Sequence, residues 1–326
     1  MSQDLRNDGP APITPGVPPS GGERQEVASG FFRSIHPVFY ALLSLFLVFF
    51  FYQIVGGGIA LLIAGGSVNQ ENVALVRWTT LIGQLLFILV PTVVLARLRE
   101  RRVLEFFRIH VPDYRHVIAA VVAVFALQQV LVGYMALQDL IPLPTELQKF
   151  LDLVKKLYEE TYKLLLVAHT PFEFVEVLVV VAFVPAISEE LLFRGLVQRN
   201  FEAVTGGLPG AVLAGLIFGA YHLIPTSFVP LAVLGIFLGF VVYRTGNITV
   251  AMAAHFFNNF VACAAIYLKL DEDFVAIAPS GTTTTVSMII NSGVFAVVFL
   301  GATLYLVTVT RTVRTEQSPS TIGHGT

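Results

Sequence analysis

Charge is scarce in this sequence. Asp, Glu, Lys and Arg make up 13% of its 326 residues, where a soluble domain carries roughly a quarter. So few charges cannot cover the surface of a water-facing fold of this size, which excludes an ordinary soluble protein. Cysteine is nearly absent: the single Cys263 excludes an intramolecular disulfide and any Cys-x-x-Cys zinc or redox motif, and its apolar neighbours make it a packing residue. With 20 Lys and Arg against 22 Asp and Glu, no basic excess or stripe points to nucleic acid. Residues 1–30 have few large apolar side chains and lack the n-region and cleavage site of a signal peptide.

What is abundant is hydrophobicity, at 55% of residues and a mean hydropathy of +0.76. It is blocked into runs of membrane-crossing length, about 17–25 residues each. The sequence predicts an all-α, polytopic integral membrane helical bundle with about eight transmembrane helices and one amphipathic surface helix. The expected spans lie near 37–64, 78–96, 116–137, 172–197, 208–224, 228–243, 248–268 and 286–309. Gly56-Gly57-Gly58 is expected to bend the first, and Pro225-Thr226-Ser227 to join the short fifth and sixth into a tight hairpin. The corresponding division is a disordered cytoplasmic tail at 1–34, N-terminal helices at 35–138, an amphipathic connector at 139–171, a core at 172–270, a last helix with its preceding loop at 271–310, and a disordered tail at 311–326. The loop from Arg97 to Arg115 holds six arginines, which places it in the cytoplasm by the positive-inside rule. Alternation then puts both termini on that side and the acidic Asp271-Glu272-Asp273 outside.

The connector contains Leu147, Phe150, Leu151, Val154, Leu157, Tyr158 and Tyr162 at helical spacing, with charged residues between them. This is an amphipathic helix for the outer membrane surface or for a position folded over the bundle. Thr145 and Gln148 have capping-box spacing. A plain connector and a substrate gate are both open readings.

Against this apolar background a few polar groups stand out. Span four carries Glu189, Glu190 and Arg194; span five carries Phe218 and His222; span seven carries His255 and Asn259. A charged side chain at membrane depth costs about 2.5–3.5 kcal/mol on insertion scales, so such residues are functional candidates by default. Adjacent helical residues point about 100° apart. Glu190 is therefore assigned to Arg194, in the favourable i,i+4 order, which leaves Glu189 facing another helix and free to hold water. His255 and Asn259, four apart, project together. A helix end could explain Arg194, and interhelical hydrogen bonding could explain a His-Asn pair; the argument rests on all of them recurring on three helices. Counted from the expected span ends, His222 lies one to two turns deeper than Glu189 and His255.

The pattern Glu-Glu-x-x-x-Arg at 189–194, Phe-x-x-x-His at 218–222 and His-x-x-x-Asn at 255–259 resembles the CPBP intramembrane proteases, the group of the CaaX prenyl endopeptidases and the bacterial Abi-like proteins. The resemblance covers about residues 172–270. It implies an intramembrane endopeptidase acting on a membrane-associated protein or peptide, in a cavity open to the cytosol. It implies that Glu189 activates water with help from His222, that His255 and Asn259 stabilise the oxyanion, that Glu190 and Arg194 hold the geometry, and that Phe218 packs beside His222. Glu189, His222 and His255 could also ligate a divalent metal such as zinc, although no His-Glu-x-x-His helix is present. The expected partners are the lipid bilayer and a membrane-anchored substrate, with no nucleic acid, and the expected location is a bacterial inner membrane, the endoplasmic reticulum being the alternative. The Abi branch keeps open a non-proteolytic immunity or scaffold protein. A proton-coupled transporter is a third reading, weakened by the absence of an internal repeat.

Overall fold

The computed structural model describes residues 32–270 and 282–316. It is 85% helical without strands among those residues. The helices are α1 (Pro37–Ile63), α2 (Val73–Arg99), α3 (Tyr114–Gln138), the amphipathic α4 (Thr145–Leu166), α5 (171–205), α6 (Gly207–Tyr221), α7 (Phe228–Thr245), α8 (Ile248–Tyr267) and α9 (Thr282–Glu316). Residues 1–31 of the expected 1–34 tail, the acidic loop at Asp271-Glu272-Asp273 and the end from Gln317 lie outside the described residues.

Six helices among the described residues are long and apolar enough to cross a membrane. The two other expected spans are helices as well, but α5 carries the charged residues of the polar cluster and α6 has only 15 residues. The bundle turns large apolar side chains outward, with Phe46 64%, Leu62 82% and Val297 70% exposed. In water such surfaces would associate; in hydrocarbon they are the ordinary exterior.

Several boundaries differ from the sequence expectation. Gly56 to Gly58 do not interrupt α1, which passes through one wide, π-type stretch at Phe50–Gly56 and continues as helix through Gly57–Ile63. At the start of α4 no side chain caps the helix, and Gln148 donates to Asp152 at 2.8 Å. A box of the expected kind forms at α5 instead. There Thr170 Oγ1 accepts from the Glu173 amide at 3.2 Å, Glu173 accepts from the His169 amide at 2.8 Å, and Pro171 opens the helix. The last helix runs on to Glu316, past the expected end at 309 and into the segment expected as a tail.

The most consequential difference is the end of α5. It continues to Thr205 rather than stopping near Val197, and Gly206, at φ +86°, turns the chain directly into α6. The two helices are then an antiparallel hairpin. Glu189 is 16 residues before Thr205 and His222 is 15 residues after Gly207, about 24 Å and 23 Å of helix at 1.5 Å per residue. The depth mismatch read from the sequence therefore disappears.

Helices α6 and α7 pack against each other through glycine. Gly215 and Gly219 on α6 meet Gly235 and its neighbours on α7, and a Cβ added at Gly219 would lie 2.7 Å from the Ala232 nitrogen and 2.8 Å from the Ala232 Cβ. These small-x-x-x-small pairs, Gly215/Gly219 and Gly235/Gly239, bring backbones together where no hydrophobic effect can drive association. Gly219→Val is expected to destabilise the protein by about 1–3 kcal/mol through overpacking, read as a lower thermal unfolding midpoint in detergent. Gly58→Val serves as control, because a Cβ there meets nothing within 4 Å.

Candidate active site

Helix α5 is irregular where the polar residues sit. Wide, π-type stretches at Leu178–Phe183 and Leu191–Gln198 flank the regular turns of Val184–Glu190, a form of local irregularity common at functional sites. Glu189 and Glu190 consequently leave the helix in different directions. Glu190 is fully buried and Glu189 half-buried.

Glu190 is the hub of the buried side. Its Oε1 accepts from Arg194 Nη1 at 2.6 Å and from His255 Nδ1 at 2.8 Å. Arg194, itself buried, donates through Nη2 to the Gly235 carbonyl at 2.9 Å and lies 4.7 Å over the Phe218 ring. One turn further along α5, Gln198 repeats the device on the Gly239 carbonyl at 3.1 Å. Glycine at 235 and 239 leaves these carbonyls accessible to side chains from a neighbouring helix. Buried charge here is compensated by pairing and by hydrogen bonds.

Phe218 is the packing centre. It is 1% exposed and makes edge contacts with His222 at 4.8 Å, Phe193 at 5.0 Å and His255 at 6.0 Å between ring centroids. It fixes both imidazoles relative to Arg194.

The two histidines have their ring hydrogens assigned by their partners. His222 Nδ1 lies 2.8 Å from the Phe218 carbonyl, which can only accept, so Nδ1 carries hydrogen. His255 Nδ1 faces the Glu190 carboxylate and donates to it. In both rings Nε2 is left for another partner.

Glu189 and His222 together wall two adjoining cavities of about 290 and 240 Å³. The first also touches Tyr52, Tyr158 and Tyr221; the second reaches Tyr158, Tyr162, Pro185, Phe218, His255, Asn258 and Asn259. Glu189 has no hydrogen bond or ion pair among the described residues. The structure thus brings Glu189, His222, His255 and Asn259 to one cavity, with Glu190 and Arg194 packed behind it.

Asn259 has a second task. Its Nδ2 donates to the Val181 carbonyl at 3.0 Å, four residues before Pro185. Proline has no amide hydrogen to offer that carbonyl, and Asn259 supplies one from α8. Its Oδ1 accepts from Asn258 Nδ2 at 3.1 Å, so each amide keeps one hydrogen free. Asn259→Leu is expected to destabilise by about 1–3 kcal/mol by leaving a part-buried carbonyl unpaired. The loss should shrink in a Pro185→Ala background, where the backbone regains its own donor; thermal unfolding of the four proteins in a double-mutant cycle measures this.

Sequence reasoning gives Asn258 only a partial share of the His255–Asn259 face and does not place the tyrosines at the cavity, which Asn258, Tyr158 and Tyr162 all line. Tyr158 and Tyr162 were visible as members of the apolar stripe of α4, where they stack at 5.5 Å, but nothing local indicated that the stripe covers the polar cluster. Burial holds the Tyr162 phenol above its ordinary pKa, so it faces the cavity as a neutral hydroxyl. Tyr52 on α1 carried no sequence signal. Tyr158 of α4, which follows the end of α3 remote from the arginine loop, walls both cavities.

Among the described residues no three His, Cys, Asp or Glu side chains form a group able to hold a metal ion. The largest cavity of the four described, about 640 Å³, lies elsewhere, at the Thr205 end of α5.

No curated protein and no solved structure matches the chain. Residues 171–261 match the family described as type II CAAX prenyl endopeptidase, Rce1-like. That interval begins at the proline opening α5 and ends two residues beyond Asn259, so it contains every polar residue of the cluster. The segment that builds this site is thus similar to the Rce1-like, type II CAAX prenyl endopeptidase family.

Proposed function

We propose that the chain is an intramembrane endopeptidase that hydrolyses a peptide bond of a membrane-associated protein or peptide, with Glu189 as the base that activates water. The observation that carries this reading is the cavity shared by Glu189, His222, His255, Asn258 and Asn259 within the Rce1-like segment. Glu189 is the acceptor without an internal partner, and His222 Nε2 supplies a second acceptor on the same wall. Water held between them loses a proton to Glu189 as its oxygen attacks the scissile carbonyl. The free amide hydrogens of Asn258 and Asn259 act on the developing oxyanion, and His255, held at Nδ1 by Glu190, joins them on the same wall. Donors of this kind supply a large part of acyl-transfer catalysis. Collapse of the tetrahedral intermediate breaks the carbon–nitrogen bond, and Glu189 returns its proton to the leaving amine.

The test compares protein termini by mass spectrometry in cells carrying wild type or Glu189→Gln at matched abundance. Termini present only with wild type are expected, and they would name the substrate and the bond together. Identical termini, with both proteins folded, would overturn proteolysis in favour of an immunity or scaffold role.

A further inference from the structure

The largest of the described cavities has nothing to do with the polar cluster. It lies where α2, α5, α6 and α7 end or begin, ten residues along α5 from Glu189, about 15 Å of helix. Its lining includes Arg99, Arg108 and Arg199 with Glu100 and Glu202. Both carboxylates are already engaged. Glu100 pairs with Arg33 at 2.7 Å, and Glu202 pairs with Arg108 and accepts from Gln198 at 2.8 Å. Arg199 forms no ion pair or hydrogen bond among the described residues; its guanidinium lies 5.9 Å from the Phe106 ring centroid and feels the Glu202 charge only at longer range. Arg99 donates only to the Phe32 and Ile35 carbonyls.

Two further observations point the same way. Gly207, in the cavity wall, starts the 15-residue α6, and no side chain caps that end; its positive helix terminus adds to the arginines. Arg199 is partly desolvated and faces the like charge of Arg108, both of which act against the protonated guanidinium and are offset only in part by the Glu202 carboxylate. A bound anion would relieve that repulsion. Because Arg99 closes the membrane-crossing α2, the cavity is level with lipid headgroups.

We propose that this cavity binds a phosphate group, held by the Arg199 and Arg108 guanidinium groups and the amides opening α6. Guanidinium binds phosphate oxygens through paired, charge-assisted hydrogen bonds. An anionic phospholipid headgroup presents that group at this level, and inorganic phosphate presents it from solution. The site is independent of the proteolytic reading, since none of its residues touches the catalytic cavity.

The test uses the full chain in phosphatidylcholine nanodiscs, titrated with phosphatidylglycerol or with inorganic phosphate, and reads the thermal unfolding midpoint. A ligand of the folded state raises it. The midpoint is expected to rise for wild type. Apparent affinity should fall at least tenfold in Arg199→Gln and be unchanged in Arg101→Gln, an exposed arginine outside the cavity. Arg199→Lys, which keeps the charge, should retain a smaller rise and serves if Arg199→Gln does not fold. A rise with phosphatidylglycerol alone assigns the site to lipid, and a rise with inorganic phosphate assigns it to a soluble anion. No rise with either, or equal losses in Arg199→Gln and Arg101→Gln, overturns the proposal.

Discussion

Glu189→Gln is expected to lower kcat by at least about a hundredfold, the lower bound for loss of a positioned general base, with the fold intact. The carboxamide has nearly the carboxylate's shape but cannot take a proton from water. Little in the packing depends on the charge, because Glu189 makes no ion pair or hydrogen bond among the described residues and acts on Arg194 only at longer range. The thermal midpoint should therefore stay within a degree or two of wild type, a substitution free of buried-partner effects being worth within about 0.5 kcal/mol. Single-turnover cleavage of a substrate found by terminus mapping gives the rate, and KM should change little if substrate binding does not use the charge. Undiminished turnover in a folded variant would remove Glu189 from the mechanism.

The neighbouring carboxylate should behave in the opposite way. Glu190→Gln leaves the Arg194 guanidinium charged and buried with its carboxylate gone, and breaking a buried pair from one side costs about 3–5 kcal/mol. Its Nη2 bond to Gly235 and its place over Phe218 offset only part of that. A large fall in the thermal midpoint is expected. The double variant Glu190→Gln/Arg194→Met removes both charges and should recover most of the stability, since replacing a whole buried pair is often nearly neutral. It should not recover activity, because His255 Nδ1 loses the carboxylate that orients it. Recovery of both would make Glu190 purely structural; recovery of neither would show that Arg194 is needed for more than its charge. Substitutions at two adjacent residues thus separate chemistry from stability.

Much of this protein was legible one segment at a time. The helical class, the amphipathic α4 and the Glu190–Arg194 pairing all follow from hydropathy and from the 3.6-residue period, which act between near neighbours in the chain. The three polar motifs were equally plain, because a charge or imidazole in an apolar run has no local explanation. Local pattern failed where a boundary depended on a neighbour. The end of α5 reads as a stop near Val197 because polar Gln198, Arg199 and Asn200 follow. In the fold those side chains have partners or a cavity wall on other elements, so the helix continues to Thr205. The glycines at 215, 219, 235 and 239 were visible, but their meaning lies in what approaches them.

By itself, then, the sequence determined an all-α membrane bundle and which side chains had to find polar partners, because apolar length and buried charge are properties of single segments. Only the tertiary structure decided that Glu189 and His222 share a wall, that Asn259 supplies the hydrogen bond Pro185 cannot, that tyrosines of α1 and α4 enclose the site, and that arginines from distant helices line a separate basic cavity. Each of these depends on the rotation and depth of one helix against another. Glycine contacts and buried hydrogen bonds between segments set those quantities, and no local period encodes them.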